Sequence, residues 1–107
     1  MSGFYDSVLY RLKSRNICRE PAVKNITVGT TAVEAKTGSS RLSRRLGLEI
    51  TLLGQGIVYW GGEGVAVNTG MPLFSGNGVK QFAFEPITYV PIYLIASSNI
   101  EIRIAEW

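Results

Sequence analysis

The side chains that could do chemistry in this chain are few, and the missing ones are as telling as those present. There is no histidine, which removes the commonest general base and the commonest metal ligand together. Cys18 is the single cysteine; it can form no internal disulfide and no cysteine-based zinc site, and it has no histidine partner for nucleophilic attack. Asp6 is the only aspartate, so the clustered oxygen ligands of a calcium loop are not available. A carboxylate pair of the kind that hydrolyses glycosides could be drawn from Glu49, Glu63, Glu85, Glu101 and Glu106, but each also reads as the outer face of a strand or a turn. Gly61-Gly62-Glu63-Gly64 looks superficially like a phosphate loop, yet strand-like sequence follows it where a helix is required. Tyr59 and Trp60, beside that glycine stretch, could form an aromatic platform for sugar rings or fill a core or interface. No metal and no cofactor is expected, and an enzyme is disfavoured.

The remaining chemistry is electrostatic. Arg11, Lys13, Arg15, Arg19, Lys24, Lys36, Arg41, Arg44 and Arg45 all precede Leu46, with only Lys80 and Arg103 after it. The net charge of +3 is therefore concentrated in the first part of the chain, which suits either a solvated basic face or an acidic partner surface. Nucleic acid is a poor candidate for that partner, because no aromatic residues interleave with Arg41, Arg44 and Arg45.

These side chains must be positioned by elements that the hydrophobic pattern predicts. Tyr5, Val8, Leu9 and Leu12 fall at i, i+3, i+4 and i+7, predicting an amphipathic helix from Phe4 to about Arg15. Ser2 suits its cap, Asp6 its first turn, and Pro21 bars continuation. From Val23 the period becomes two. Strands are predicted at Val23–Val28, Thr31–Ala35, Leu46–Leu52, Ile57–Trp60, Val79–Phe84, Ile92–Ala96 and Ile100–Glu106, with a further short one possible at Val65–Val67. Ile57–Trp60 is expected to return on Leu46–Leu52 as a hairpin, and Ser75-Gly76-Asn77-Gly78 is the clearest hairpin-turn signal. In the last strand Ile100, Ile102 and Ile104 are expected to face inward, with Glu101, Arg103 and Glu106 at solvent-compatible positions.

With 107 residues and a charged fraction of only 18%, one domain of short strands and tight turns is expected. The fold class is mainly β: an antiparallel β-sandwich or small barrel of about seven to eight strands with an N-terminal amphipathic helix. Residues 1–20 form a helical arm and 21–107 the β-sandwich domain. The start of the chain lacks the order of a signal peptide and no apolar run is long enough to span a bilayer, so a soluble chain away from membranes is expected.

One stretch goes beyond pattern. Ile57-Val58-Tyr59-Trp60-Gly61-Gly62-Glu63-Gly64-Val65, followed by Asn68-Thr69-Gly70-Met71-Pro72-Leu73, resembles a signature of small bacteriophage virion proteins. In these an aromatic or aliphatic strand end leads to Gly-Gly-x-x-Val and then to Gly-x-Pro-Leu. Ile26 to Val33, the strand following Arg44-Arg45, and the closing Tyr93–Ala96 and Ile100–Ile104 segments are similar to the same family, so the resemblance spans about Ile26 to Glu106. It implies a capsid decoration protein, a head-fibre base or a head–tail or tail accessory protein, assembled in the host cytoplasm and present in many copies on the virion. Other virion proteins of capsid, neck or tail, and further copies of the chain, would be its partners. The helix lies outside the shared core and reads as the docking element, with Phe4, Tyr5, Val8, Leu9 and Leu12 as anchors and Arg11, Arg15, Arg44 and Arg45 as basic partner contacts. A carbohydrate- or receptor-binding module of a fibre, using Tyr59 and Trp60, is the alternative, and a small glutamate-pair hydrolase is a third reading.

Overall fold

Alternating burial shows why this sequence folds as paired sheets. In the strand Ile100–Glu106, residues Ile100, Ile102 and Ile104 are buried while Glu101 and Arg103 are exposed, and Gly47–Leu52 buries Leu48, Ile50 and Leu52 in the same rhythm. A period of two can satisfy only one apolar face per strand, so a second sheet must cover it. The computed structural model describes residues 20–77, 79–85 and 88–107; the helix expected from Phe4 to about Arg15 lies outside them.

The described residues form eight strands: β1 (Ala22–Val28), β2 (Val33–Glu34), β3 (Gly47–Leu52), β4 (Ile57–Gly61), β5 (Met71–Phe74), β6 (Val79–Ala83), β7 (Tyr93–Ala96) and β8 (Ile100–Glu106). They make two four-stranded sheets in the orders β1-β8-β3-β6 and β2-β7-β4-β5, with every pairing antiparallel. The chain changes sheet at every connection except β4 to β5. Eight strands in these orders make a jelly roll, which settles sandwich over closed barrel. Between the sheets lies one core of Val28, Leu48, Ile50, Val58, Leu94, Ala96, Ile102 and Ile104, with Trp60, Phe82 and Phe84 packed against it.

Several local expectations give way to this topology. β4 does not return on β3: it pairs with β5 and β7, while β3 pairs with β6 and β8. The segment from Ser75 is a short 3₁₀ turn, Ser75–Asn77, that carries the chain from one sheet to the other rather than closing a hairpin. Val65–Val67 is not a strand; it belongs to the loop between β4 and β5, where Gly70 N–H donates to the Ala66 carbonyl at 2.8 Å.

The register also fixes which connections meet. Ala22 pairs with Glu106 and Val28 with Ile100, so the start of β1 and the end of β8 share one end of the sandwich with the β2–β3, β4–β5 and β6–β7 loops. At that end the chain closes tightly: Leu46 N–H donates to the Trp107 carbonyl at 2.7 Å, and Trp107 N–H returns to the Gly47 carbonyl at 3.2 Å. A Cβ at Gly47 would run into the Trp107 indole, so only glycine fits beneath that ring.

The β4–β5 loop shows where backbone freedom is needed. Gly62 has ample room and an ordinary backbone, whereas Gly64 has φ +89°, a region L-residues occupy only with strain. Gly64→Val should therefore cost about 1–3 kcal/mol, and Gly62→Val should stay within about 0.5 kcal/mol of wild type; urea unfolding of the two variants measures both.

Candidate functional site

The strongest concentration of charge lies at the end where the long loops meet. Arg45 closes the β2–β3 loop just ahead of β3, and the parity of β8 carries Glu106 to the inner side after Ile100, Ile102 and Ile104. The two side chains meet at 2.9 Å between Nη1 and Oε2 and are 2% and 1% exposed. Two charges so deeply desolvated are tolerated only when their remaining hydrogen-bonding capacity is used. Arg45 Nη1 also donates to the Ala35 carbonyl at 2.9 Å, and Nη2 to the Val90 carbonyl at 2.6 Å. Its plane lies over the rings of Phe84 and Tyr89, at 4.7 and 4.4 Å from their centroids, the stacked environment a guanidinium favours. Nε has no hydrogen-bond partner among the described residues. The other carboxylate oxygen of Glu106 accepts from the Thr37 N–H at 2.6 Å and from the Thr37 hydroxyl at 2.8 Å.

A second, shallower layer continues the network outward. Glu34 of β2 accepts from the Tyr89 hydroxyl at 2.8 Å and from Arg41 Nε at 3.0 Å, and Arg41 also lies over the Tyr89 ring at 5.0 Å. The hydrogen bond from Arg41 to Glu34 raises the arginine pKa, against some lowering by burial. An open recess of about 460 Å³ sits beside this layer, lined by Thr37, Ser39, Arg41, Leu42 and Ser43 and reaching Glu106.

This geometry changes the standing of several candidate residues. Arg45 is not a surface contact; it is consumed inside the fold. Glu106 is not solvent-facing, and both its oxygens are occupied, so it offers no free acid or base. Arg44 is exposed and takes a left-handed backbone at φ 56°. Phe4, Tyr5, Val8, Leu9, Leu12, Arg11 and Arg15 lie outside the described residues, as does Cys18. Tyr59 and Trp60 are not brought together. Neighbours in one strand point to opposite faces, and Trp60 turns inward, edge-on to Phe82 at 4.8 Å with Lys80 Nζ 5.1 Å from both rings. Tyr59 faces out beside Ile95 and Pro72.

The acids considered for hydrolysis are likewise dispersed. Glu49, on the outer face of β3, accepts from Gln81 at 2.8 Å; Glu101 accepts from Thr27 at 2.8 Å; Glu63 and Glu85 are exposed in separate loops. Among the described residues no three histidine, cysteine, aspartate or glutamate side chains gather in a way that could hold a metal ion.

Sequence reading missed the face that these strands expose. On the outer side of β2-β7-β4-β5 the register sets Ile95, Tyr59 and Pro72 in one row and Ile57 beside Phe74 in another. Phe74 is 42% exposed. The outer side of the other sheet is mainly polar: Thr27 bonds Glu101, Arg103 bonds Asn25 at 2.8 Å and Gln81 bonds Glu49, with Val23 and Val79 exposed singly on the edge strands. The signal was present as the odd-numbered positions of Ile57–Gly61 and Tyr93–Ala96, which are as apolar as the even ones.

Neither a family model nor a curated protein matches the chain. A solved structure described as Bacillus endospore appendages, which form a novel family of disulfide-linked pili, is similar over 81% of this chain and 82% of its own, at 16% identity and a TM-score of 0.45. That neighbour is a pilus protein and not a phage protein.

The network at the loop end yields two expectations. Arg45→Met strands a buried carboxylate and should cost about 3–5 kcal/mol, while the double change with Glu106→Leu should recover most of the loss; urea unfolding of the three chains tests this. Burial, reinforced by the hydrogen bond to Glu34 and opposed in part by Arg45, raises the Tyr89 phenol above its ordinary value. The folded chain then keeps a proton that the unfolded chain releases near pH 10. Its contribution is intact below about pH 10 and lost as pH climbs from there toward the folded value. Wild type should therefore lose more stability than Tyr89→Phe between about pH 9 and pH 11, measured as the difference in urea midpoints.

Proposed function

We propose that this chain is a non-enzymatic structural subunit of a bacteriophage particle that acts by adhesion, with many copies joining one another and other virion proteins. The observation that carries this reading is the contrast between its two outer faces. One sheet ties most of its outward polar side chains together across its own strands and exposes only isolated valines, Val23 and Val79, on its two edge strands. The other presents aliphatic and aromatic side chains to solvent, the composition of the buried centre of a protein interface.

The jelly roll by itself does not choose among functions, since capsid proteins, lectins and cupins share it. The choice comes from the side chains. Carboxylates that could work in pairs are bonded or apart, and the Tyr59–Trp60 pair that a sugar platform needs is split between two faces. The phage assignment is supported by the Gly61-Gly62 to Pro72-Leu73 signature, in which the glycine stretch and Pro72 bound the β4–β5 loop. In this reading the first twenty residues dock on a neighbouring subunit of the particle, with the charge of Arg11, Arg15 and Arg44 matching an acidic surface.

A chain lacking residues 1–20 should fold, giving the same β signature in circular dichroism and cooperative melting, but should no longer co-sediment with particles purified from cells that produce them. Absence of the full-length chain from those particles would overturn the assignment.

A further inference from the structure

We infer that the apolar outer face of β4 and β5 is the seat for the N-terminal arm of a neighbouring copy, so that copies join arm to face. This deepens the adhesive reading above and rests on it. The face is formed by Ile57, Tyr59, Pro72 and Phe74, extended by Ile95 of β7. Glycine at position 70 lets the β4–β5 loop fold close: a Cβ there would meet Tyr59 at 2.7 Å and Val65 at 2.8 Å. The loop thus walls the lower side of the face with Val65 and leaves Phe74 exposed beside a half-buried Ile57.

The occupant is given by what remains of the chain. Nineteen residues precede those described, and they carry the stripe Tyr5, Val8, Leu9 and Leu12 at helical spacing. A three-turn amphipathic helix is marginal alone and is held by burying such a stripe. An apolar helix face laid on an apolar sheet face is the simplest way for both to leave water. Charge agrees with it: Glu63 is exposed in the loop beside the seat, and Arg11, Lys13 and Arg15 follow the stripe.

Geometry favours a neighbour's face over the chain's own. β1, where the arm is rooted, is an edge of its sheet; the partner sheet runs β2-β7-β4-β5. β1 lies on the β7 side of the sandwich, where the Ala96 N–H meets the Gly29 carbonyl at 2.8 Å, and β6 lies on the β4 side, where Phe82 meets Trp60. Root and seat are therefore at opposite edges. Reaching its own seat would take the arm across about 10 Å between sheets and about 15 Å along three strands. The nine residues from 13 to 21 span about 30 Å only when fully extended, which leaves little chain to turn the edge. A neighbour's seat imposes no such demand. Such an unlike-surface contact leaves one arm and one face unused at each step, so it propagates.

The test uses the full-length chain and light scattering after size exclusion. Wild type should self-associate with rising concentration, and Leu9→Glu or Phe74→Glu should each weaken this by at least about tenfold. Pro72→Glu, on the same exposed surface, should repeat the effect, and unchanged melting temperatures show that the domains are folded. Mixing the Leu9→Glu chain, which keeps its face, with the Phe74→Glu chain, which keeps its arm, should give a one-to-one complex that stops at two copies. A mixture that stays monomeric, or a wild type that never associates, overturns arm-to-face joining. Wild-type association that neither substitution weakens overturns it too, while leaving the structural role standing; absence from purified particles strikes at that role and not at the mixing result.

Discussion

A single buried ion pair sets the terms for one whole end of this molecule. Arg45 and Glu106 bring together the β2–β3 loop, the last strand, the Ala35 carbonyl at the end of β2, the Val90 carbonyl of the β6–β7 loop and the rings of Phe84 and Tyr89. Withdrawing both charges from water is costly, and their mutual attraction offsets that only when the geometry is near complete. The consequence is cooperative: the loop from Ala35 to Leu46, polar and rich in serine and glycine, has little apolar surface of its own, yet Thr37 and Arg45 pin it at two points to Glu106. Loosening any member leaves a buried charge uncompensated, so the loop keeps one arrangement or none. The pair contributes specificity of shape more than net stability.

That constraint separates the surface into parts with different duties. The loop end is closed by internal bonds, with Arg41, Glu34 and Tyr89 forming an outer layer over Arg45. One sheet face is mostly bound up in cross-strand polar contacts. On the face of β2-β7-β4-β5 such closure stops at Glu34, which holds Arg41 and Tyr89; over β4 and β5 what is exposed is mostly carbon. A small jelly roll built to be solitary would alternate polar residues there; Tyr59, Ile95, Ile57 and Phe74 stand together instead, whereas on the opposite sheet the exposed Val23 and Val79 are set apart among threonine, glutamate and glutamine.

Much of the strand pattern is legible in the sequence because burial follows parity. Ile100–Glu106 matches its expected limits, and the other long strands differ by a residue or so at their ends. Strand partners are not legible, because turn chemistry is local while jelly-roll pairing is not: Ser75 to Asn77 and Ser97 to Asn99 have hairpin composition, yet each hands the chain to the other sheet. Arg45 was hidden for a different reason. A basic residue after Arg44 in a serine-rich loop looks solvated, and nothing in its neighbours announces the rings of Phe84 and Tyr89 or the Val90 carbonyl, all far along the chain, that enclose it. Glu106 did carry a signal. It continues the inward series Ile100, Ile102, Ile104, and a carboxylate on that parity implies a buried cation to meet it. The turn glycines gave a family resemblance but did not show which glycine of the β4–β5 loop needs a left-handed backbone, which is Gly64.

The sheet edges bear on how such a subunit can join others. Strand addition needs a row of free backbone donors and acceptors. β2 has only two residues. β5 carries Pro72, which has no donor to offer, and β6 carries Lys80 folded over Trp60 and Phe82, a charge that discourages an added strand. β1 is long enough, but it runs straight from the N-terminal residues and includes Lys24 and Asn25, the latter already tied to Arg103. Three of four edges are thus short, interrupted or charged, while a broad side-chain face is left apolar. A subunit so arranged gains more by burying side chains than by extending its sheets, and burial of that kind selects partners by shape, which backbone pairing does not.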